Sequence, residues 1–244
     1  DTAEYNPTEC VATNITGAEN VIHAALSLGI SDVVALSTDK ACSPVNLYGA
    51  TKLASDKLFC AANNVKGKRN IRFSVVRYGN VMGSRGSVIP FFMKLRDNTT
   101  VPITHKDMTR FNISLQAGVD MVEYSLINHL GGEIFVPKIP SYTVTTLAET
   151  ICPNATHEII GIRPGEKIHE EMISYTDSLS TIDLGIYYAI LPTNSVNNTA
   201  DDFMKHHKAK CYVQPFSYNS GENENWETRE TLTKKIREHV DPEF

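Results

Sequence analysis

Six side chains in the first quarter of the chain are of types that move protons. An apolar run at 33–36 ends in Ser-Thr-Asp-Lys, where Asp39 and Lys40 supply an acid and an amine. Tyr48 and Lys52 follow four residues apart, so on a helix they share one face, with about 5–6 Å between their β-carbons. Tyrosine titrates near ~10 when unperturbed, and a neighbouring ammonium favours the phenolate. The spacing predicts a tyrosine that loses its proton near neutral pH, although Tyr-x-x-x-Lys alone is a weak signal.

A strand and a helix must position these residues. The run at 33–36 predicts a short buried strand, Pro44 and Asn46 predict a turn, and helical spacing follows over 47–63. A second apolar strand is predicted at 71–77. This alternation predicts an α/β fold with a parallel sheet covered by helices, and such sheets place ligands where a strand ends and a helix begins.

Periodicity and end signals predict the remaining elements. Further helices are expected at 11–28, 88–96, 114–129, 145–151 and 227–239, and further strands at 133–136 and 186–191. Ser87 and Ser114 are N-cap candidates for two of these helices. The rest of the polar stretch 177–224 shows no regular pattern.

Four motifs resemble those of one enzyme family. They are LSTDKA at 36–41, NLYGATK at 46–52, VRYGNVMGSRGSVIP at 76–90 and GIRPGEK at 161–167. Together they are similar to the inverting UDP-N-acetylglucosamine 4,6-dehydratases of polysaccharide biosynthesis, a branch of the extended short-chain dehydrogenase/reductase superfamily. The resemblance runs from about residue 3 to 174 and resumes at 216–221.

The resemblance implies a fold and a domain organisation. Residues 1–80 would form the remaining C-terminal part of a Rossmann-type doubly wound parallel sheet that binds NAD. Residues 81–244 would form mainly a smaller α/β lobe that binds the nucleotide-sugar, with 114–137 packing back on the Rossmann sheet.

The resemblance also implies a reaction with a tightly bound NAD or NADP. Oxidation at C4 of a UDP-N-acetylhexosamine acidifies the C5 proton, water leaves across C5 and C6, and hydride returns to C6. The product would be a 4-keto-6-deoxy sugar with C5 inverted, for surface-glycan or modified-sugar synthesis.

The family's catalytic roles map onto the first motifs. By resemblance, Tyr48 would be the base on the C4 hydroxyl, which Thr38 would also hydrogen-bond. Lys52 would lower the pKa of Tyr48 and hold the nicotinamide ribose, with Ser37 a further cofactor contact. Asp39 would protonate the leaving C6 oxygen and Lys40 would remove the C5 proton. Related retaining dTDP-glucose dehydratases carry glutamate at the position of Lys40, so lysine favours the inverting branch. A surface ion pair between Asp39 and Lys40 is the simpler alternative.

Substrate contacts are predicted from the later motifs. Asn80 lies in the loop 79–86, whose G-x-x-x-G-x-x-G spacing is not the dinucleotide fingerprint and whose following helix could receive a diphosphate. The resemblance favours a substrate-lining loop, and a flexible crossover is the alternative. By resemblance, Val88, Arg110, Arg163 and Glu166 would also face the nucleotide. From charge alone, either arginine could simply be solvated.

The dinucleotide fingerprint G-x-G-x-x-G does not occur in this sequence. The resemblance places that glycine loop, within an N-terminal βαβ unit, upstream of residue 1, so an N-terminally truncated chain is expected. We expect these 244 residues alone to bind NAD poorly and to turn over slowly or not at all. The full-length protein is expected to be a homo-oligomer.

Composition and short motifs restrict the partners, the compartment and the metal sites that we expect for this protein. A net charge of −5 argues against nucleic-acid or anionic-membrane partners, and no apolar run approaches the ~20 residues that span a bilayer. Five scattered cysteines without C-x-x-C favour reduced thiols in a cytoplasmic protein. His169-Glu170 lacks H-E-x-x-H spacing, so no metal site is expected. Two alternatives stay open: a UDP-N-acetylhexosamine 4-epimerase, and a non-catalytic substrate-lobe or assembly protein.

Overall fold

The structure is a computed structural model that describes residues 2–244, apart from the side chain of Thr2. It contains two compact units. Unit 1 comprises the chain up to Tyr78 together with Asp120–Lys138 and Glu171–Tyr218. Unit 2 comprises Gly79–Val119, Ile139–Glu170 and Asn219–Phe244.

The regular elements have the following bounds. The α-helices are α1 (Thr2–Tyr5), α2 (Pro7–Val11), α3 (Gly17–Leu28), α4 (Leu47–Val65), α5 (Val88–Met93), α6 (Leu115–Asn128), α7 (Val144–Ile151), α8 (Tyr175–Ser178), α9 (Ala200–His207) and α10 (Arg229–His239). The strands are β1 (Asp32–Thr38), β2 (Arg72–Tyr78), β3 (Asn80–Val81), β4 (Thr100–Ile103), β5 (Thr109–Ile113), β6 (Ile134–Pro137), β7 (Ser141–Thr143), β8 (Thr156–Ile159), β9 (Glu171–Ile173), β10 (Thr181–Asp183), β11 (Tyr187–Ile190) and β12 (Tyr218–Asn219). A π-helical segment spans Ala12–Thr16, and a 3₁₀ turn spans Asp39–Ala41.

A five-stranded sheet with the order β1-β2-β6-β11-β10 is the centre of unit 1. Strands β1, β2 and β6 are parallel, while β11 and β10 add antiparallel strands at one side. The register pairs Ser37 with Arg77 and Thr38 with Tyr78, so β1 and β2 end level with one another. The predicted α/β fold with a parallel sheet is confirmed, and its antiparallel extension is a feature that the sequence pattern did not predict.

The core of unit 1 forms around β2 and β6. Phe73, Val75, Val76 and Phe135 are fully buried, as expected of parallel strands covered on both faces. Side chains from α6, α9 and the antiparallel strands complete the same cluster. Burial of such side chains is the main favourable contribution to folding and holds the strand ends rigidly.

One charged pair interrupts this core. The guanidinium of Arg77 lies 3.2 Å from the Asp56 carboxylate, and each side chain is only 2% exposed. Arg77 also donates to the carbonyl of Met172 at 3.0 Å. Burial raises the pKa of Asp56, and the charge of Arg77 opposes that rise. Arg77 is therefore a structural bridge between β2, α4 and β9.

Unit 2 contains two small sheets. One has the order β3-β5-β7, with β3 and β5 parallel and β5 and β7 antiparallel, and the other pairs β4 with β8 in parallel. Helices α5, α7 and α10 pack on a common core with Val101 and Ile103 of β4. Four of these strands, β4, β5, β7 and β8, have three to five residues, and their sequence patterns did not predict them.

The observed division differs in one respect from the expected lobes. The first boundary falls after Tyr78, and 120–138 lies with the sheet, close to the expected 114–137. Residues 171–218 also lie in unit 1, whereas the sequence assigned them to the substrate lobe. The reason is that β10 and β11 extend the central sheet from β6.

Candidate active site

The end of β1 turns directly into the 3₁₀ segment that carries the acid and the amine. Thr38 caps this turn, because its hydroxyl oxygen accepts from the backbone N–H of Lys40 at 3.3 Å. The same hydroxyl donates to Oδ1 of Asp39 at 2.9 Å, and Nζ of Lys40 lies 3.0 Å from that oxygen. Thr38, Asp39 and Lys40 therefore form one hydrogen-bonded cluster.

The second carboxylate oxygen of Asp39 has no partner. The Asp39 side chain is fully buried, and its Oδ2 makes no hydrogen bond among the described residues. Buried polar atoms are nearly always hydrogen-bonded in folded proteins. An oxygen left in this state is suited to accept a hydrogen bond from, or exchange a proton with, a ligand. Lys40 is 34% exposed but Asp39 is fully buried, so the pair differs from the simple surface ion pair considered above.

Tyr48 lies in the first turn of α4, which the Asn46 side chain caps by accepting from the N–H of Gly49 at 2.8 Å. The Tyr48 side chain remains 39% exposed. Partial burial raises the pKa of its phenol; the charge of Lys40 lowers that pKa, and the charge of Asp39 raises it. Tyr48 is thus electrostatically coupled to the cluster at the end of β1.

The ammonium of Lys52 is directed to the end of β1, and its predicted effect on Tyr48 stays a prediction. Its ammonium donates to the carbonyl oxygen of Leu36 at 2.7 Å, and the cation that lowers the pKa of Tyr48 is Lys40. The net pKa of Tyr48 is raised, not lowered. The i, i+4 spacing places both residues on one face, but a strand carbonyl within reach is a stronger acceptor than a neutral phenol. Ser37 is buried within β1, and its part in holding a cofactor stays a prediction.

Gly49 permits the close approach of α4 to the 3₁₀ turn. A Cβ at this position would lie 2.3 Å from the carbonyl oxygen of Lys40 and 3.0 Å from Cβ of Pro44. Real Cβ atoms do not approach backbone oxygens this closely, so a larger residue must push the turn away. The glycine therefore determines the distance between Tyr48 and the Asp39–Lys40 pair.

We expect Gly49→Ala to lower kcat by about 10- to 100-fold and to destabilise the fold by roughly 1–3 kcal/mol, because overpacking displaces the turn. Steady-state kinetics and thermal unfolding measure the two effects. Gly118→Ala is the matched control, since a Cβ there meets nothing within 4 Å and alanine favours a helix interior. Equal behaviour of the two variants would contradict the close-packing role of Gly49.

Arg110, in unit 2, is held by its own unit. Its guanidinium donates to the carbonyls of Lys167 at 3.1 Å and Ile168 at 3.2 Å, and its Nε lies 3.7 Å from the Glu170 carboxylate. The side chain is only 11% exposed, which excludes a freely solvated arginine. Arg110 secures the end of the segment that contains Arg163.

Arg163 and Glu166 face each other across a tight turn in unit 2. The backbone N–H of Arg163 donates to the Glu166 carboxylate at 3.2 Å, and the N–H of Glu166 donates to the Arg163 carbonyl at 3.1 Å. The Arg163 side chain is exposed and available to a ligand. Asn80 begins β3, and Val88 is the first residue of α5, where it packs against the core of the unit. Contacts of these residues with substrate stay predictions.

Sequence reasoning missed one residue beside the catalytic turn. The Glu171 carboxylate accepts from the hydroxyls of Ser43 and Ser217, at 2.5 and 2.7 Å. A glutamate more than a hundred residues from the turn gives no local signal of this contact.

The described residues fit a nicotinamide cofactor and a sugar hydroxyl at this face of unit 1. The ammonium of Lys52 has three N–H donors, one of which bonds the Leu36 carbonyl. Oδ2 of Asp39 has no hydrogen-bond partner among the described residues and can accept from a ligand. Among residues 2–244, no group of three His, Cys, Asp or Glu side chains could hold a metal ion. In that same part of the chain, every helix is too short or too polar to cross a membrane.

A parallel strand ending in Thr-Asp-Lys beside a Tyr-x-x-x-Lys helix is typical of an extended short-chain dehydrogenase/reductase. The chain belongs to the family of polysaccharide biosynthesis proteins, whose profile matches residues 1–192. It is 54% identical to an inverting UDP-N-acetylglucosamine 4,6-dehydratase of Campylobacter jejuni over 94% of this chain and 70% of that protein. It is 38% identical to a UDP-glucose 4-epimerase of Rickettsia bellii, over 93% of this chain and 68% of the relative.

Among solved structures, the fold is similar to the X-ray structure of Pen from Bacillus thuringiensis. The TM-score is 0.84 at 34% sequence identity, over 97% of this chain and 70% of that one. The family and the Rossmann-type fold implied by the sequence motifs are thereby confirmed.

Proposed function

We propose that the protein is an NAD(P)-dependent dehydratase that converts UDP-N-acetylglucosamine to a 4-keto-6-deoxy sugar with inversion at C5. The observation that carries this proposal is the Asp39–Lys40 pair, held by Thr38 at the end of β1 with one carboxylate oxygen unpartnered. An enzyme that only oxidises and reduces C4 has no use for a second acid and base. Relatives named as inverting dehydratases at 53–54% identity support the same assignment.

A bound nicotinamide would supply the hydride acceptor for oxidation at C4 and the hydride donor for reduction at C6. Tyr48 takes the proton of the C4 hydroxyl, and Thr38 hydrogen-bonds the same oxygen. Lys40 favours the phenolate of Tyr48 by its charge. Lys52 would hold the cofactor's ribose, a role supported by the contact of its ammonium with the Leu36 carbonyl beside Tyr48. Ser37 completes the proposed cofactor contacts.

Asp39 and Lys40 then perform the elimination. In the structure they are joined by a 3.0 Å contact between Nζ and Oδ1. Transfer of one proton along this contact converts the ion pair into a carboxylic acid and a neutral amine, with no change in net charge. These are the states the reaction needs: the amine removes the C5 proton, and the acid protonates the leaving C6 oxygen. Inversion at C5 then requires a solvent-derived proton to reach that carbon on the face opposite Lys40.

Recognition of the UDP moiety is proposed for the residues of unit 2. Arg163 supplies an exposed cation, and Arg110 and Glu166 fix the segment around it. Asn80 lies in the loop 79–86 and Val88 follows it; the amides of this loop suit a diphosphate. We further propose a cytoplasmic location, since none of the five cysteines is in a disulfide, the state expected in a reducing compartment. A homo-oligomer is proposed from the family resemblance.

The test is product analysis in deuterated water. The protein is expressed with any coding sequence that precedes residue 1 and is incubated with UDP-N-acetylglucosamine. The dehydratase yields a product that has lost one water and gained one deuterium at C5, and NMR assigns the configuration of that carbon. Unchanged C5 configuration would remove the inverting assignment.

A 4-epimerase is the second proposal, because relatives with that name are 36–38% identical to this chain. That reaction uses Tyr48 and Lys52 but leaves Asp39 and Lys40 without a part. Its product has the substrate's mass and an inverted C4 hydroxyl. Such a product, without loss of water, would replace the dehydratase proposal.

A further inference from the structure

The Glu171 side chain, at the start of β9, joins three donors in unit 1. Its Oε2 accepts from Ser43 Oγ at 2.5 Å and from Cys42 Sγ at 3.6 Å, and its Oε1 accepts from Ser217 Oγ at 2.7 Å. Cys42 and Ser43 directly follow the 3₁₀ turn that carries Asp39 and Lys40. The carboxylate therefore ties the catalytic turn to a strand distant in sequence.

The backbone at Ser43 requires such support. Ser43 has φ of +45°, in the left-handed region that residues with a Cβ rarely adopt. Non-glycine residues persist there when the surrounding structure holds them. The interaction that holds the Ser43 side chain is its hydrogen bond to the Glu171 carboxylate. Release of that contact lets residue 43 relax toward negative φ and changes the path of the chain.

The strained residue is mechanically coupled to the acid and the amine. The N–H of Cys42 donates to the Asp39 carbonyl at 3.1 Å and closes the 3₁₀ turn, and the Lys40 carbonyl packs against Gly49 of α4. A change of path at Ser43 therefore moves Asp39 and Lys40 relative to Tyr48. General acid–base catalysis depends steeply on such distances.

We infer that Glu171 is a positioning residue: its carboxylate holds Ser43 in the left-handed conformation and so fixes the Asp39–Lys40 pair against Tyr48. It does not contact the reacting atoms. The expected kinetic effects rest on the proposed function. The claim that Glu171 holds Ser43 depends only on contacts within unit 1.

Kinetics of four variants test the inference. Glu171→Ala is expected to lower kcat by about 10- to 100-fold with KM for the UDP-sugar within about 2-fold, since only transition-state geometry suffers. Glu171→Gln, whose amide can still bond both hydroxyls, is expected to stay within about 3-fold of wild type. Adding Ser43→Gly to Glu171→Ala is expected to restore kcat by at least about 5-fold, because glycine adopts positive φ without support. Glu123→Ala, at an exposed glutamate of α6, is the matched control.

Hydrogen–deuterium exchange provides a readout that needs neither substrate nor cofactor. In Glu171→Ala, the backbone amides of the segment 40–46 are expected to exchange faster than in wild type, while those of 181–190 keep the wild-type rate. Adding Ser43→Gly is expected to return the exchange rate of the segment 40–46 toward that of wild type. Unaltered exchange at 40–46 would overturn the inference, as would a loss of kcat that Ser43→Gly fails to restore. If wild type forms no dehydration product, the proposed function fails, and the exchange comparison still decides the role of Glu171.

Discussion

Tyr48→Phe is expected to lower kcat by about 10³-fold or more while KM for the UDP-sugar changes little. Loss of the phenol removes the base on the C4 hydroxyl, and general acid–base groups contribute roughly 10²–10⁴-fold. Every later step depends on C4 oxidation, so no 4-keto product and no deuterium at C5 should form. Single-turnover absorbance of the nicotinamide and product mass measure both consequences. Phenylalanine preserves the packing of the ring in α4.

The pH profile gives this prediction a second readout. Burial raises the pKa of Tyr48 above its ordinary value, and the base form is the phenolate, so kcat/KM should rise with pH through the neutral and alkaline range. The rising limb should disappear in Tyr48→Phe. Tyr175→Phe is the matched control, because Tyr175 is 61% exposed and lies in the short helix α8. A Tyr48→Phe variant that keeps wild-type activity would remove Tyr48 from the chemistry.

Lys40→Ala is expected to lower product formation by about 10³-fold, but at a later step than Tyr48→Phe. The variant should still oxidise C4, seen as reduced nicotinamide, yet should neither exchange the C5 proton nor lose water. Substrate binding should remain within a few-fold, because the variant leaves unchanged the nucleotide-binding residues proposed in unit 2. Deuterium incorporation followed by mass spectrometry distinguishes the blocked step from the earlier one.

The same variant should shift the titration of Tyr48. The charge of Lys40 lowers the pKa of the Tyr48 phenol, so its removal should move the rising limb of C4 oxidation to higher pH. Lys68→Ala, at an exposed lysine between α4 and β2, should leave both the limb and the rate unchanged. C5 exchange that survives in Lys40→Ala would exclude lysine as the C5 base.

Local patterns were sufficient to predict the elements around the catalytic turn. The apolar run before Ser37 does form β1, but at the edge of the described sheet it is only half-buried and Leu36 is exposed, whereas a buried strand was expected. Asn46 marks the start of α4 because its side chain satisfies a free N–H of the first turn. Both signals involve residues within four positions of each other. The short strands of unit 2 give no such signal, since three to five residues carry too little periodicity and are stabilised by partners distant in sequence.

Side-chain contacts were likewise predictable between neighbours in sequence and unpredictable between distant segments. Thr38, Asp39 and Lys40 meet because they are consecutive at one strand end, and their proximity is a consequence of sequence. The ammonium of Lys52 binds the Leu36 carbonyl, because the packing of α4 on β1 brings that carbonyl within 2.7 Å. Arg110 is likewise committed to carbonyls nearly sixty residues away, which charge alone did not reveal.

The amino-acid sequence is sufficient to identify the reactive side chains and the family motifs of this protein. They are an acid and an amine after a strand, and a tyrosine and a lysine on one helix face. Neighbouring residues and helical geometry are sufficient to establish those facts. Tertiary structure alone decided that Lys40 is the cation lowering the pKa of Tyr48, that Oδ2 of Asp39 stays unpartnered, and that Glu171 holds Ser43. Electrostatic coupling and burial depend on distances between segments, and only the packed fold sets those distances.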